Sequence, residues 1–199
     1  MTSVILFGVG SPIILDYEES AARRNWTIVS GIRNVDAPVY ASAAIPVIEA
    51  HPGLRIEHPV LLPMFTPANR GQAWQHAVSL GAQAFPVLID PTSILPRQFE
   101  IGDGTYINAG CVIGAAPRLG RFVLVNRGTS IGHHADIADF VSIGPGAVLA
   151  GQVRVGTGTM IGAGAAILPG VEIGAGAVVP AGAVVRRNVP AGSTAWEAT

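Results

Sequence analysis

From Ile89 to Val185 an aliphatic residue returns at every sixth position: Ile89, Leu95, Ile101, Ile107, Ile113, Leu119, Val125, Ile131, Ile137, Ile143, Leu149, Val155, Ile161, Ile167, Ile173, Val179 and Val185. With Ile, Leu and Val at roughly a quarter of residues, such a run in one phase arises by chance less than about once in a billion trials. The period is therefore structural. The second position of each hexad is mostly Gly, Asn or Ala, and the fifth is small or β-branched, as in Ile101-Gly102-Asp103-Gly104-Thr105-Tyr106. A helix of 3.6 residues per turn cannot keep one face on a strict period of six, whereas short strands meeting at glycine-rich corners can. Three such strands close one coil, and the pattern predicts a parallel β-helix over residues 89–199.

Residues 1–88 follow a different rhythm. Val4 to Phe7 is a fully apolar strand, and Ser11 followed by Pro12 has the chemistry of an N-cap and first helical residue, which predicts a helix through about Arg24. A second strand is expected over Thr27 to Ile32, a helix over Ser42 to Ala50, a third strand near Val60 to Met64 and a last helix from Gly71 to Leu80. That order, β-α-β-α-β-α, predicts a small Rossmann-like unit joined through Pro86 to Pro91 to the β-helix.

Composition narrows the function. A formal net charge of -1 supplies no electrostatic pull toward nucleic acid or an anionic membrane. The one cysteine, Cys111, has no partner for a disulfide and lies in an apolar repeat, which suggests a buried filler in a reduced, cytoplasmic protein. Met1 to Gly10 is apolar but short and carries no basic leader, so it is expected to be a strand, and no run approaches the length of a spanning helix.

Two places carry candidate chemistry. Gly8-Val9-Gly10, after a strand and before a helix, lets backbone N–H groups approach a phosphate, although the third glycine of the dinucleotide fingerprint is missing and the second strand runs into Arg33 and Asn34 rather than an acid. Of the five histidines, His51, His58 and His76 are expected to be ordinary surface or helix-end residues. His133 and His134 occupy a corner of the predicted prism, facing outward where a neighbouring subunit can meet them. Imidazole is neutral near pH 7 and accepts a proton readily, as a general base must. Gly151 follows His133 by eighteen residues, one coil higher on the same corner, and its uncovered N–H is placed to donate to an oxyanion. By the same spacing Asn126 stacks on Asn108. Two adjacent histidines cannot supply three zinc ligands, so no metal site is expected.

The repeat resembles that of the hexapeptide-repeat acyltransferases, whose coils are left-handed. The Rossmann-like unit ahead of it makes the chain similar to the sugar O- and N-acetyltransferases of bacterial sialic acid, bacillosamine and perosamine pathways. In that family the catalytic segment reads Asn-x-x-x-x-Ile/Val-x-His-acid, and Asn126 through Ile131, Gly132, His133 and His134 match it with His133 as base. His134 stands where the family has an acid that orients the base, leaving Asp136, Asp139 or a backbone carbonyl for that task. The resemblance implies acetyl-CoA as co-substrate, contacted by Ser142, Gly151, Ala163, Ala181 and Gly182. It also implies a nucleotide-sugar held through Gly8, Gly10, Ser11, Arg33, Asn34 and Asn126, and a homotrimer with its sites between prisms. Family members have a Gly-Gly-His where this chain has Gly10-Ser11-Pro12, and continue beyond the stretch corresponding to Trp196 to Thr199. Those departures keep two rival readings open: a catalytically lapsed scaffold, and an acyltransferase with a non-sugar acceptor.

Overall fold

The computed structural model describes residues 2–195. The N-terminal part is a parallel four-stranded sheet in the order β3-β2-β1-β4, with β1 at Ser3–Phe7, β2 at Thr27–Arg33, β3 at Val47–Glu49 and β4 at Val60–Leu61. Helix α1 (Ile14–Arg23) follows β1, and α2 (Pro67–Ser79) follows β4. Val4, Leu6 and Phe7 at the centre of the sheet are inaccessible to solvent.

This unit holds two helices, not three. The helix expected over Ser42 to Ala50 is absent: Pro46 has no N–H and would clash within a helix. Its carbonyl instead accepts Gly31 N–H at 2.8 Å, and Val47 and Ile48, both β-branched, continue as the edge strand β3. Helix α1 begins two residues after Pro12, with Ile14 N–H bonded to Ser11 O at 3.0 Å, so Ser11 closes a turn and does not cap the helix with its side chain. Helix α2 begins earlier than expected, at Pro67 after extended Thr66.

From Leu88 onward the chain is a parallel β-solenoid of two-residue strands in three stacks. In every strand the second residue points inward, and Ile107, Ile137, Ile143 and Ile161 in this interior are fully buried. At Gly132, in the second hexad position, the stacking leaves no room for a side chain: a Cβ there would lie 2.5 Å from the backbone of Ala150 and Gly151 in the coil above.

The outward residues differ from face to face. Face one presents Leu88, Tyr106, Leu124, Ser142, Met160 and Val178, of which the first four are buried beneath the N-terminal unit. Face two presents Val112, Ser130, Val148, Ala166 and Val184. Face three presents a charge ladder of Glu100, Arg118, Asp136, Arg154 and Glu172. The seam on face one is closed by Tyr17 stacking on Tyr106 at 3.9 Å between centroids, and by Trp74 against Phe122 and Phe140.

Arg70 of α2 pins the same seam. Its guanidinium, 1% exposed, donates to the carbonyls of Met64, Phe65, Phe122, Phe140 and Val141 and to Ser142 Oγ. Among the described residues no carboxylate pairs with it, and burial draws its pKa down to about 10.

Candidate functional site

The corner residues form edges along the prism. The edge between faces two and three carries His133, and Gly151 lies one coil above it, where Gln152 N–H donates to His133 O at 2.8 Å. The imidazole lies over Gly151: a Cβ there would sit 2.5 Å from His133 Nε2 and 2.6 Å from its Cε1. Only glycine leaves room for the ring. Among the described residues Gly151 N–H makes no hydrogen bond, so an exposed imidazole and a free amide donor share one edge.

His133 Nδ1 lies 3.0 Å from His134 Nδ1, with the two rings nearly perpendicular at 82°. One nitrogen of this pair must carry the proton and the other the lone pair. With the proton on His133 Nδ1, its Nε2 presents a lone pair beside Gly151, the arrangement a base needs. The carboxylates expected to orient His133 are committed elsewhere. Asp136 accepts from Arg118 at 3.1 Å across face three, and Asp139 accepts Arg121 N–H at 2.7 Å. His134 is therefore the side chain that contacts His133.

The residues expected to contact the cofactor divide. Ala163, Ala181 and Gly182 are exposed on the other edge, between faces one and two, where Gly182 N–H bonds to Ala163 O at 2.8 Å. Within one chain they flank face two opposite Gly151. Ser142 is fully buried, accepts from Arg70 and donates to Phe65 O, so its expected cofactor contact is corrected to a joint between the two parts of the fold.

The expected substrate residues Gly8, Gly10, Ser11 and Asn34 do come together, around a cavity of about 360 Å³. Asn34 Oδ1 is buried there without a hydrogen-bond partner, and Met64 Cε fills the space above Gly8 that a side chain would take. Arg33 does not belong to this lining. Its guanidinium turns to Ala37 O at 3.1 Å, Asp36 at 2.6 Å and Glu49 at 3.3 Å, holding the loop and β3. Helix α2 supplies Asn69, Gln72, Ala73 and His76 to the same wall. Sequence reading placed His76 on an ordinary helix surface; the spacing of Asn69, Gln72 and His76 by three and four residues was the available signal.

Asn126 is 7% exposed, and its Oδ1 accepts Asn108 Nδ2 at 2.9 Å and Arg127 N–H at 2.8 Å. Its carbonyl end is thus spent on the ladder, while the residue borders a second cavity of about 470 Å³ with Ser11, Asp16, Phe65 and Arg127. Ser11 belongs to both cavities, which makes them neighbours along the loop after β1.

Comparison with known proteins gives the following. Residues 152–187 match the family model described as bacterial transferase hexapeptide (six repeats). A histidine-to-asparagine mutant of perosamine N-acetyltransferase from Caulobacter crescentus, in complex with CoA and GDP-perosamine, is similar at a TM-score of 0.87 and 25% identity over 98% of this chain and 93% of that one. The acetyltransferase domain of PglB from Neisseria gonorrhoeae, in complex with acetyl coenzyme A, is similar at 0.83 and 28% identity over 96% and 94%. WeeI from Acinetobacter baumannii shares the fold at 0.78 and 21% identity over 98% and 96%. No curated protein sequence matches the chain.

Proposed function

Because the chain belongs to the hexapeptide-repeat transferases of left-handed β-helix fold, we propose that it moves an acetyl group from acetyl-CoA to an amino group, or a hydroxyl, of a nucleotide-activated sugar. The observation that carries this reading is the exposed His133 ring lying over Gly151, whose N–H is free. In this reading residues 1–88 are a Rossmann-like unit that holds the nucleotide-sugar in the cavity beside Gly8, Ser11 and Asn34, and residues 89–199 carry the transfer.

His133 Nε2 takes the proton from the acceptor nitrogen as that nitrogen bonds to the thioester carbonyl carbon. Gly151 N–H donates to the oxygen that gains the negative charge, a contribution worth roughly 3 kcal/mol in comparable sites. As the C–S bond breaks, the imidazolium returns its proton to the departing thiolate, leaving an amide and free CoA. His134 keeps the His133 proton on Nδ1 throughout, the task a carboxylate performs in related dyads.

The site is shared between chains of a homotrimer. His133 and Gly151 lie on one edge of face two, and Ala163, Ala181 and Gly182 on the other, so only a neighbouring prism turned about an axis in front of face two brings such edges together. The apolar outward residues of that face, Val112 46% and Val148 47% exposed, suit burial against the copies. A cytoplasmic location, where acetyl-CoA is made and used, accompanies the proposal; no described helix is long and apolar enough to cross a membrane.

The test is acetyl transfer from acetyl-CoA to a panel of GDP-, UDP- and dTDP-linked amino-sugars, with amino acids and simple alcohols as non-sugar controls. His133→Ala is expected to lower kcat by about 10²- to 10⁴-fold with little change in the dissociation constant for acetyl-CoA. Full activity in His133→Ala would remove the base assigned here, and a wild type inert toward the whole panel would identify a lapsed scaffold.

A further inference from the structure

We infer that Arg186 and Arg187 bind the phosphates at the 3′-phospho-ADP end of acetyl-CoA, an inference that rests on the proposed transferase reading. The two arginines follow Val184 and Val185, the last strand of face two, and so turn the same edge that carries His133 and Gly151. Val185 pairs with Ile167 and Val189 with Ile173, so three residues round this corner where five do in the coil below. Asn188 Oδ1 ties the shortened turn by accepting Glu172 N–H at 2.9 Å. Both arginines are left exposed beyond it.

Among the described residues nothing neutralises their charges. Arg186 Nη1 reaches only Val184 O, at 3.3 Å, and among the described residues neither arginine has a carboxylate partner. The other adjacent cationic pair is anchored: Arg23 on Asp90 and Glu19, Arg24 over the Trp26 ring. On the neighbouring face Arg118 and Arg154 are also held by acids. Two adjacent unpaired guanidiniums are an unfavourable arrangement in isolation and a favourable one opposite a phosphate, which each binds through two parallel N–H groups.

The spacing fits the donor molecule. Three coils at about 4.8 Å each separate His133 from Arg187, roughly 14 Å along the edge. The pantetheine arm puts a comparable length between the thioester and the phosphates. Between the two points the stacked positions are Gly151 and Pro169, neither with a long side chain to block a narrow ligand.

The inference is tested on the full chain with the double variant Arg186→Gln, Arg187→Gln. Calorimetry with CoA and dephospho-CoA is paired with kinetics on acetyl-CoA and S-acetyl-pantetheine. The variant is expected to raise KM for acetyl-CoA about tenfold or more, leave kcat at saturation and KM for the sugar unchanged, and lose the wild type's preference for CoA over dephospho-CoA. S-acetyl-pantetheine, which lacks the phosphates, should serve both proteins equally. Equal CoA affinity in the two proteins would overturn the inference alone, as would a parallel loss with S-acetyl-pantetheine. A wild type that binds no CoA would overturn the transferase reading and this inference together.

Discussion

Position four of the hexad lies in the left-handed region of backbone space, where glycine is the comfortable residue: Gly128, Gly146, Gly164 and Gly182 have φ between 64° and 71°. A side chain there costs roughly 1 to 2 kcal/mol, a cost that nothing in the structure explains at Ala116 and Gln152, φ 53° and 62°, but that packing or contacts explain at three other positions. Phe122 and Phe140, at φ 54° and 58°, are explained by stacking on each other at 5.0 Å and on Trp74 of α2. His134, at φ 56°, is exposed and has no core to fill; what it gains is the contact with His133. His134→Gly should therefore relieve strain and raise the melting temperature by about 2 to 4 °C, while lowering kcat about tenfold or more through a less well-held base. His134→Ala should lose the same activity without the stability gain. Calorimetry beside initial rates checks both, and unchanged kcat in His134→Gly would show that His133 needs no side-chain partner. The stacking of His133 on Gly151 was legible from a spacing of eighteen because the coil length is written in the repeat; the Nδ1 contact was not, since it depends on side-chain rotation at a corner.

At the scale of elements, the repeat made every solenoid strand visible, because an aliphatic residue every six positions admits no other packing. The N-terminal unit was less legible. The stretch Ser42 to Ala50 has the small and aliphatic composition of a helix, yet Pro46 argues locally against one, and only its pairing with the backbone of β2, a tertiary contact, makes Val47 to Glu49 an edge strand. How the two parts dock was also hidden, because it rests on polar groups far apart in sequence. Asp90, whose side chain is fully buried at the start of the solenoid, accepts from Ser20 and Arg23 of α1 at 2.7 Å each and from the Thr92 hydroxyl and N–H. Burial alone would raise its pKa, but these hydrogen bonds outweigh it and hold the carboxyl at about 2. The folded value lies below the unfolded one, so the stabilisation, about 2 kcal/mol, is fully present above pH ~4 and fades as pH falls toward 2. Asp90→Asn should be less stable than wild type in urea at pH 7, with the gap narrowing between pH 4 and pH 2. A gap that stays constant across that range would mean the charge of Asp90 does not hold α1 to the first coil.

For the whole molecule, the three faces have three fates. Face one is covered by the N-terminal unit, face three carries a self-compensating ladder of charges suited to water, and face two is largely apolar with none of the described residues packed upon it. The cavity proposed to hold the nucleotide-sugar lies on the face-one side, and the second cavity beside it reaches Asn126 and Arg127 on the edge that bears Ala163 and Ala181. His133 is on the opposite edge of face two, so in the proposed trimer a sugar bound in the cavity of one chain would meet the imidazole of a neighbour rather than its own. Two inactive proteins should then rescue each other: His133→Ala, which keeps the cavity, and Asn69→Trp, which fills it while keeping His133. Refolded together at equal amounts, they should recover about a quarter of the wild-type rate, the share of sites that pair an intact cavity with an intact base in random mixing. Val148→Arg, placed on the apolar face, should yield monomers by sedimentation and abolish that rescue. Mixtures no more active than their components, or a monomeric Val148→Arg with full activity, would put the acceptor and the base within a single chain.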